Sequence, residues 1–166
     1  MSPAAEQEAP APAADLAGLA FFAGSWQAEG TFHATPFSAQ KPIRMSIDAD
    51  IVHRGFWLQT RTAEHPSAGN PNPVTVTCQW GYDTETGRFS AEWFDSNGGR
   101  ATQTSAGWDD DRLVFTGRMT YGGCSFLLRD TFTRRCEDEY HHLGEVYLGE
   151  GWVLVDEELA RRRSGE

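Results

Sequence analysis

His142 stands beside His141 in a stretch, 138–148, whose residues alternate in the manner of a β-strand. Adjacent strand positions point to opposite faces, so these two imidazoles cannot hold one metal ion from their own strand. No H-x-H or H-x-x-x-H spacing occurs, and no metal site is expected. Proton transfer is the chemistry His142 suits better. Facing the same apolar interior as Asp130 or Asp95, it would share shifted pKa values with its partner. Such a pair can move a proton in an isomerisation, a cyclisation or a dehydration. A buried His–Asp pair with a purely structural role is the plainer alternative. Other chemistry finds no motif: G-x-S-x-G, the P-loop and G-x-G-x-x-G are all missing, and Asn97-Gly98-Gly99 reads as a hairpin connection. Cys78, Cys124 and Cys136 show no C-x-x-C spacing and read as reduced, buried, small hydrophobes.

For residues so far apart in sequence to meet, the chain has to wrap. Period-two segments occur at 25–34, 42–53, 56–64, 73–82, 87–95, 100–108, 112–120, 124–134, 138–148 and 151–159. Turn-forming residues join most of them, among them Arg54-Gly55, Asp83 to Gly87, Gly122-Gly123 and Gly149 to Gly151. Longer loops are expected at 35–41 and 65–73, the second a flexible rim loop rich in proline. Before the first strand, Leu16, Leu19, Phe22 and Ala23 recur at helical spacing, with Asp15 as N-cap and Gly24 as stop. An open meander of that many strands would leave two hazardous edges, and closure removes both. The expected fold is therefore all-β: an antiparallel, up-and-down, closed barrel of about ten strands with a short N-terminal capping helix. A two-sheet sandwich is the fallback, disfavoured because only two long loops are available.

Alternation also sorts the side chains. In 42–53, Ile43, Met45, Ile47, Ala49 and Ile51 face one way, and Arg44, Ser46, Asp48 and Asp50 the other. Continued along the chain, the inward set includes Phe32, Trp80, Tyr82, Trp93, Phe115, Met119 and Phe126, with the polar residues Asp95, Gln103, Asp130 and His142. These residues, with Met45 and Ile47, are the candidate ligand-binding set; His142 and Asp130 are the catalytic pair if the protein is an enzyme. Small inward residues such as Ala28, Gly30, Ala91, Gly117 and Gly144 leave room for one small ligand. The competing possibility is that six tryptophans and ten phenylalanines fill the interior outright.

Lys and Arg number 14 against 24 Asp and Glu, a net charge of -10. Such a surface repels phosphate backbones and anionic lipid headgroups, so neither nucleic acid nor membrane is an expected partner. Residues 1–14 read as a disordered leader without the features of a signal peptide, 15–161 as the barrel, and 162–166 as a frayed end. Asp156-Glu157-Glu158 and Arg161-Arg162-Arg163 read as a solvated tail after the last strand. The expected protein is cytoplasmic, and a homodimer through outward apolar residues such as Trp57 and Phe94 is an alternative role.

The segment Phe22-Ala23-Gly24-Ser25-Trp26-Gln27-Ala28-Glu29-Gly30 resembles the G-x-W-x-x-x-G opening of calycin-type barrels, lipocalin-like and nitrobindin-like. Gly81-Tyr82-Asp83, Trp93-Phe94-Asp95-Ser96 and Phe115-Thr116-Gly117 resemble an uncharacterised bacterial branch of that group, over roughly residues 16–160. The resemblance implies a barrel closed at one end, with Trp26 as its plug and an Arg of the last strand, Arg161, packed over it. It implies an open end that admits an apolar or aromatic small molecule. Nitrobindin-like members hold haem through a late-strand His preceded by Pro-Leu. Here His142-Leu143 lacks that Pro-Leu, so haem is disfavoured and no cofactor is expected.

Overall fold

The computed structural model describes residues 8–165; residues 1–7 of the expected leader, and Glu166, lie outside the described residues. Eleven strands follow a 3-10 helix, Ala14–Phe22, with a second short 3-10 turn, His53–Gly55, joining the second strand to the third. They are β1 (Gly24–Phe32), β2 (Lys41–Val52), β3 (Trp57–Glu64), β4 (Thr75–Asp83), β5 (Arg88–Asp95), β6 (Arg100–Ser105), β7 (Trp108–Asp109), β8 (Arg112–Tyr121), β9 (Cys124–Cys136), β10 (Glu139–Tyr147) and β11 (Trp152–Arg162). Each pairs antiparallel with its sequence neighbour, except that β6 passes over the two-residue β7 to pair with β8. β1 pairs with β11, Trp26 opposite Arg162 and Phe32 opposite Asp156, and this seam closes a ring of ten strands. The expected closed, up-and-down barrel is the observed one.

At two glycines the neighbouring strand's backbone leaves no space for a side chain. A Cβ on Gly30 would lie 1.8 Å from the Glu157 carbonyl oxygen, and one on Gly117 would lie 1.9 Å from that of Thr102. Only a residue without a side chain lets the paired backbones approach that closely.

The helix closes one end. It is 3-10 rather than α, and its N-cap is Ala13, with no side-chain cap; Asp15, the expected cap, lies inside the first turn. Its last residue, Phe22, packs edge-on or tilted against Trp80, Phe132 and Tyr140 and stacks on Trp108. Trp26, 1 % exposed, donates its indole N–H to the Phe22 carbonyl at 2.9 Å. Arg162, not Arg161, lies over the Trp26 ring at 4.1 Å. Its Nη1 donates to the Ala23 carbonyl, and its Nη2 to the Phe21 and Glu137 carbonyls. Strand β11 thus extends to Arg162, one residue into the end expected to fray. Arg161, displaced to the outer face by alternation, pairs with Glu139 instead.

At the other end the loops form a mouth. Pro42 packs on Gly69 of the 65–73 loop. Asn70, expected on a flexible rim, is 2 % exposed and donates to Glu64 at 2.8 Å, which also accepts from Lys41. Phe37, from the loop before β2, reaches the Phe126 ring of β9, 5.5 Å between centroids.

Two expectations about the wall are corrected. Ile51 is 55 % exposed, because β2 ends at Val52 and Ile51 lies on its closed-end rim. Only Cys78 of the three cysteines is buried; Cys124 and Cys136 sit at opposite ends of β9 and are exposed. Trp57 and Phe94 do face outward, although the Trp57 ring covers Gly81. Among the described residues, no helix is long and apolar enough to cross a membrane.

Candidate functional site

Between the aromatic plug and the mouth lies a cavity of about 620 Å³. Phe32, Met45, Ile47, Trp80, Trp93, Phe115, Met119 and Phe126 line it, together with the polar residues Asp95, Gln103, Asp130 and His142. Tyr82 does not. It shares a strand face with Trp80 but lies two residues nearer the closed end, packed on Phe89 at 5.1 Å. Asp95 borders the cavity, but its carboxylate is committed to the 96–99 turn. Its Oδ1 accepts the backbone N–H groups of Asn97 and Gly99, each at 2.8 Å.

Asp130 and His142 meet on one wall, where β9, β10 and β11 run side by side. His142 is the centre. One ring nitrogen, Nε2, lies 2.8 Å from Asp130 Oδ1, and the other, Nδ1, lies 2.6 Å from Glu158 Oε2. Asp156 Oδ2 is 3.5 Å from the same Nδ1. Gln103, from β6 on the far side of β8, donates to the second Asp130 oxygen at 2.6 Å. Phe132 stacks on the imidazole at 4.7 Å and joins this cluster to the plug. Strand register explains the convergence: Glu158 is directly opposite His142, and Gly144 is opposite both Asp130 and Asp156. A Cβ on Gly144 would fall 2.1 Å from Asp156 Oδ1, so the glycine makes the niche that this carboxylate occupies.

Sequence reasoning brought His142, Asp130 and Gln103 to this wall and missed Asp156 and Glu158. Those two read as a solvated charge run, yet Glu158 is 4 % exposed. The signal was present in the alternation of Asp156, Glu158 and Ala160 against Glu157 and Leu159. A bulge hides it: Glu145 pairs with Leu154 while Gly144 pairs with Asp156, so parity changes at Val155.

Electrostatics here favour protons. Burial opposes a charge on His142, but attraction from Glu158 and hydrogen bonds to Asp130 and Glu158 outweigh it, with Asp156 adding to them. Its pKa stands well above the usual 6.5. Burial and the neighbouring Glu158 push the Asp156 carboxyl well above the ordinary carboxylate range, against the pull of His142. The remaining exposure of these side chains, 18 % for His142 and 23 % for Asp156, is toward the cavity they line. Both shifts run the same way: each of the two groups holds its proton to higher pH than it would in water. Near the mouth, burial of Glu64 is outweighed by Lys41, Asn70 and the Val74 N–H, which together lower its pKa. Burial also pushes the Cys78 thiol up and out of the reactive range. Next to it the Trp80 indole N–H makes no hydrogen bond of sound geometry among the described residues.

The donor atoms of His142, Asp156 and Glu158 lie within 4.8 Å of one another, a set that could ligate a divalent cation. That would require His142 to lose a proton and the 2.6 Å contact to Glu158 to open. Haem fits less well. Both nitrogens of the late-strand histidine are engaged by carboxylates, so neither is free for iron.

A closed antiparallel barrel, plugged at one end and hollow beyond the plug, is the class of protein these features define. Residues 11–126 match the family described as a protein of unknown function, DUF1579, and the chain belongs to that family. Asp130, His142, Asp156 and Glu158 lie beyond the matched residues. The crystal structure of Rv2717c from M. tuberculosis is similar, with a TM-score of 0.71 at 13% sequence identity, over 93% of this chain and 100% of that one. At that identity the likeness concerns the fold. No curated protein matches.

Proposed function

We propose that this protein binds one small, largely apolar or aromatic molecule inside its barrel. The observation that carries this is the cavity of about 620 Å³, walled by aromatic and aliphatic side chains and bearing a few convergent polar groups. The aromatic plug fills the closed end and leaves the space beyond it available to a ligand. The barrel reads as calycin-like on three further grounds: the G-x-W opening, the Trp26 plug and an Arg of the last strand stacked over it. Native mass spectrometry and quenching of tryptophan fluorescence with a panel of apolar aromatics test the reading. Saturable binding of one molecule per chain supports it, and a panel with no binder removes it.

A second reading, proton-transfer catalysis on the same ligand, is favoured by the raised Asp156 carboxyl and by its position on the cavity wall. Here the expected pair, His142 with Asp130, takes a supporting part. Each is already bonded to the other, whereas Asp156 borders the cavity with a carboxyl whose pKa burial and Glu158 raise. Replacing His142 with Gln would then abolish turnover while the barrel still folds; unchanged turnover excludes His142 from the chemistry.

A further inference from the structure

The cavity carries more acid than base. Glu64, Asp95, Asp130, Asp156 and Glu158 line it, against Lys41 and His142. Lys41 is taken by Glu64 at 2.9 Å, and His142 lies between Asp130 and Glu158. Asp95 is satisfied by its turn. Asp156 and Glu158 remain, with one imidazolium nitrogen between them. Neither has an Arg or Lys partner among the described residues, and no Arg lines the cavity. Aromatic rings close the space around them: Phe132 stacks on His142, and Trp80 packs against Phe132. Carboxylates framed by aromatic faces are the surroundings that recognise an organic ammonium group. A carboxylate ligand would meet repulsion, and a neutral one would forgo the strongest contact available.

We propose that the ligand of this cavity is an amine: an apolar or aromatic body in the barrel, with its protonated nitrogen against Asp156 and Glu158 on the β11 wall. This rests on the binding reading above and adds the chemical class. The ammonium donates its N–H groups to these two side chains while the aromatic faces cover the rest of the ligand. The size of the cavity favours an organic cation over a bare metal ion, which would leave the apolar space unused.

The test uses three compounds of one shape: 1-naphthylmethylamine, 1-naphthalenemethanol and 1-naphthoic acid, titrated calorimetrically into the full chain near neutral pH. The amine is expected to bind at least about tenfold more tightly than the alcohol, and the acid more weakly than either. Asp156→Asn should narrow the gap between amine and alcohol by lowering the amine's affinity, with the melting curve as a check on folding. Equal affinity of amine and alcohol, or preferential binding of the acid, overturns the amine assignment and leaves the binding cavity standing. Failure of all three to bind overturns both. Tight binding of zinc chloride that needs His142, with no preference for the amine, replaces the amine by a metal.

Discussion

His142 is held as a cation by the carboxylates on either side of it, and that gives its contribution to stability a definite pH window. A histidine whose folded pKa is raised stabilises fully below its unfolded value, near 6.5, and loses that contribution as pH rises through the folded value. Asp156 runs in the same direction from a lower start. Its folded pKa is raised above 3.8, so the fold is favoured while the carboxyl is protonated and that advantage fades as pH rises. Glu64, with a lowered folded pKa, does the reverse: its contribution is present above 4.5 and lost on acidification. Urea denaturation as a function of pH should therefore show stability falling on the alkaline side of neutrality. His142→Gln should flatten that limb. At neutral pH the same variant leaves Asp130 and Glu158 without their shared cation, at a cost of about 3 kcal/mol. An alkaline limb as steep in the variant as in the wild type would show that His142 is not its source.

At the scale of the element, the join between β1 and β11 decides whether the barrel exists. Arg162 links the last strand to the helix end by hydrogen bonds to the Phe21 and Ala23 carbonyls and covers Trp26. Arg162→Ala should cost about 2–3 kcal/mol, through unpaired carbonyls and the lost cation–π contact. Arg161→Ala should cost less than about 1 kcal/mol, because its ion pair is exposed. Chemical denaturation of the two variants side by side checks the contrast, and comparable losses would refute it. Gly30→Ala should be worse than either, at about 4 kcal/mol or more, since its Cβ collides with paired backbone rather than with a movable side chain.

The strands themselves were readable because period-two alternation and Gly, Asn and Asp turns punctuate the chain at nearly every connection. What alternation yields is a face and not a depth. Tyr82 and Asp95 lie on correctly oriented stretches, yet one sits below the cavity and the other is turned into its own hairpin. The β11 carboxylates were hidden for a different reason. Three consecutive acids resemble a solvated end, and only the partner strand shows that the middle one faces out while its neighbours face in. Which arginine covers Trp26 likewise depended on where the strand ended, a matter of a single residue.

For the molecule as a whole, the balance between packed plug and open cavity sets what can be changed without loss. Met45 and Phe115 both line the cavity, but Phe115 is 1 % exposed and packs on Trp80. Phe115→Ala should destabilise by about 3–5 kcal/mol. Met45→Trp, which grows into free space, should change stability by less than about 1.5 kcal/mol. It should also weaken binding of a naphthalene-sized ligand by more than about tenfold. Thermal melts and ligand titration of this variant separate the two effects; undiminished binding would place the ligand elsewhere.

The pairing of β1 with β11 also governs the order of events on the ribosome. The first strand waits for the one made last of the eleven, so a nascent polypeptide can build its hairpins but cannot shut the ring. Until Arg162 clears the exit tunnel, both rims of the growing sheet and the indole of Trp26 stay bare, and the acids that would greet a ligand have yet to arrive.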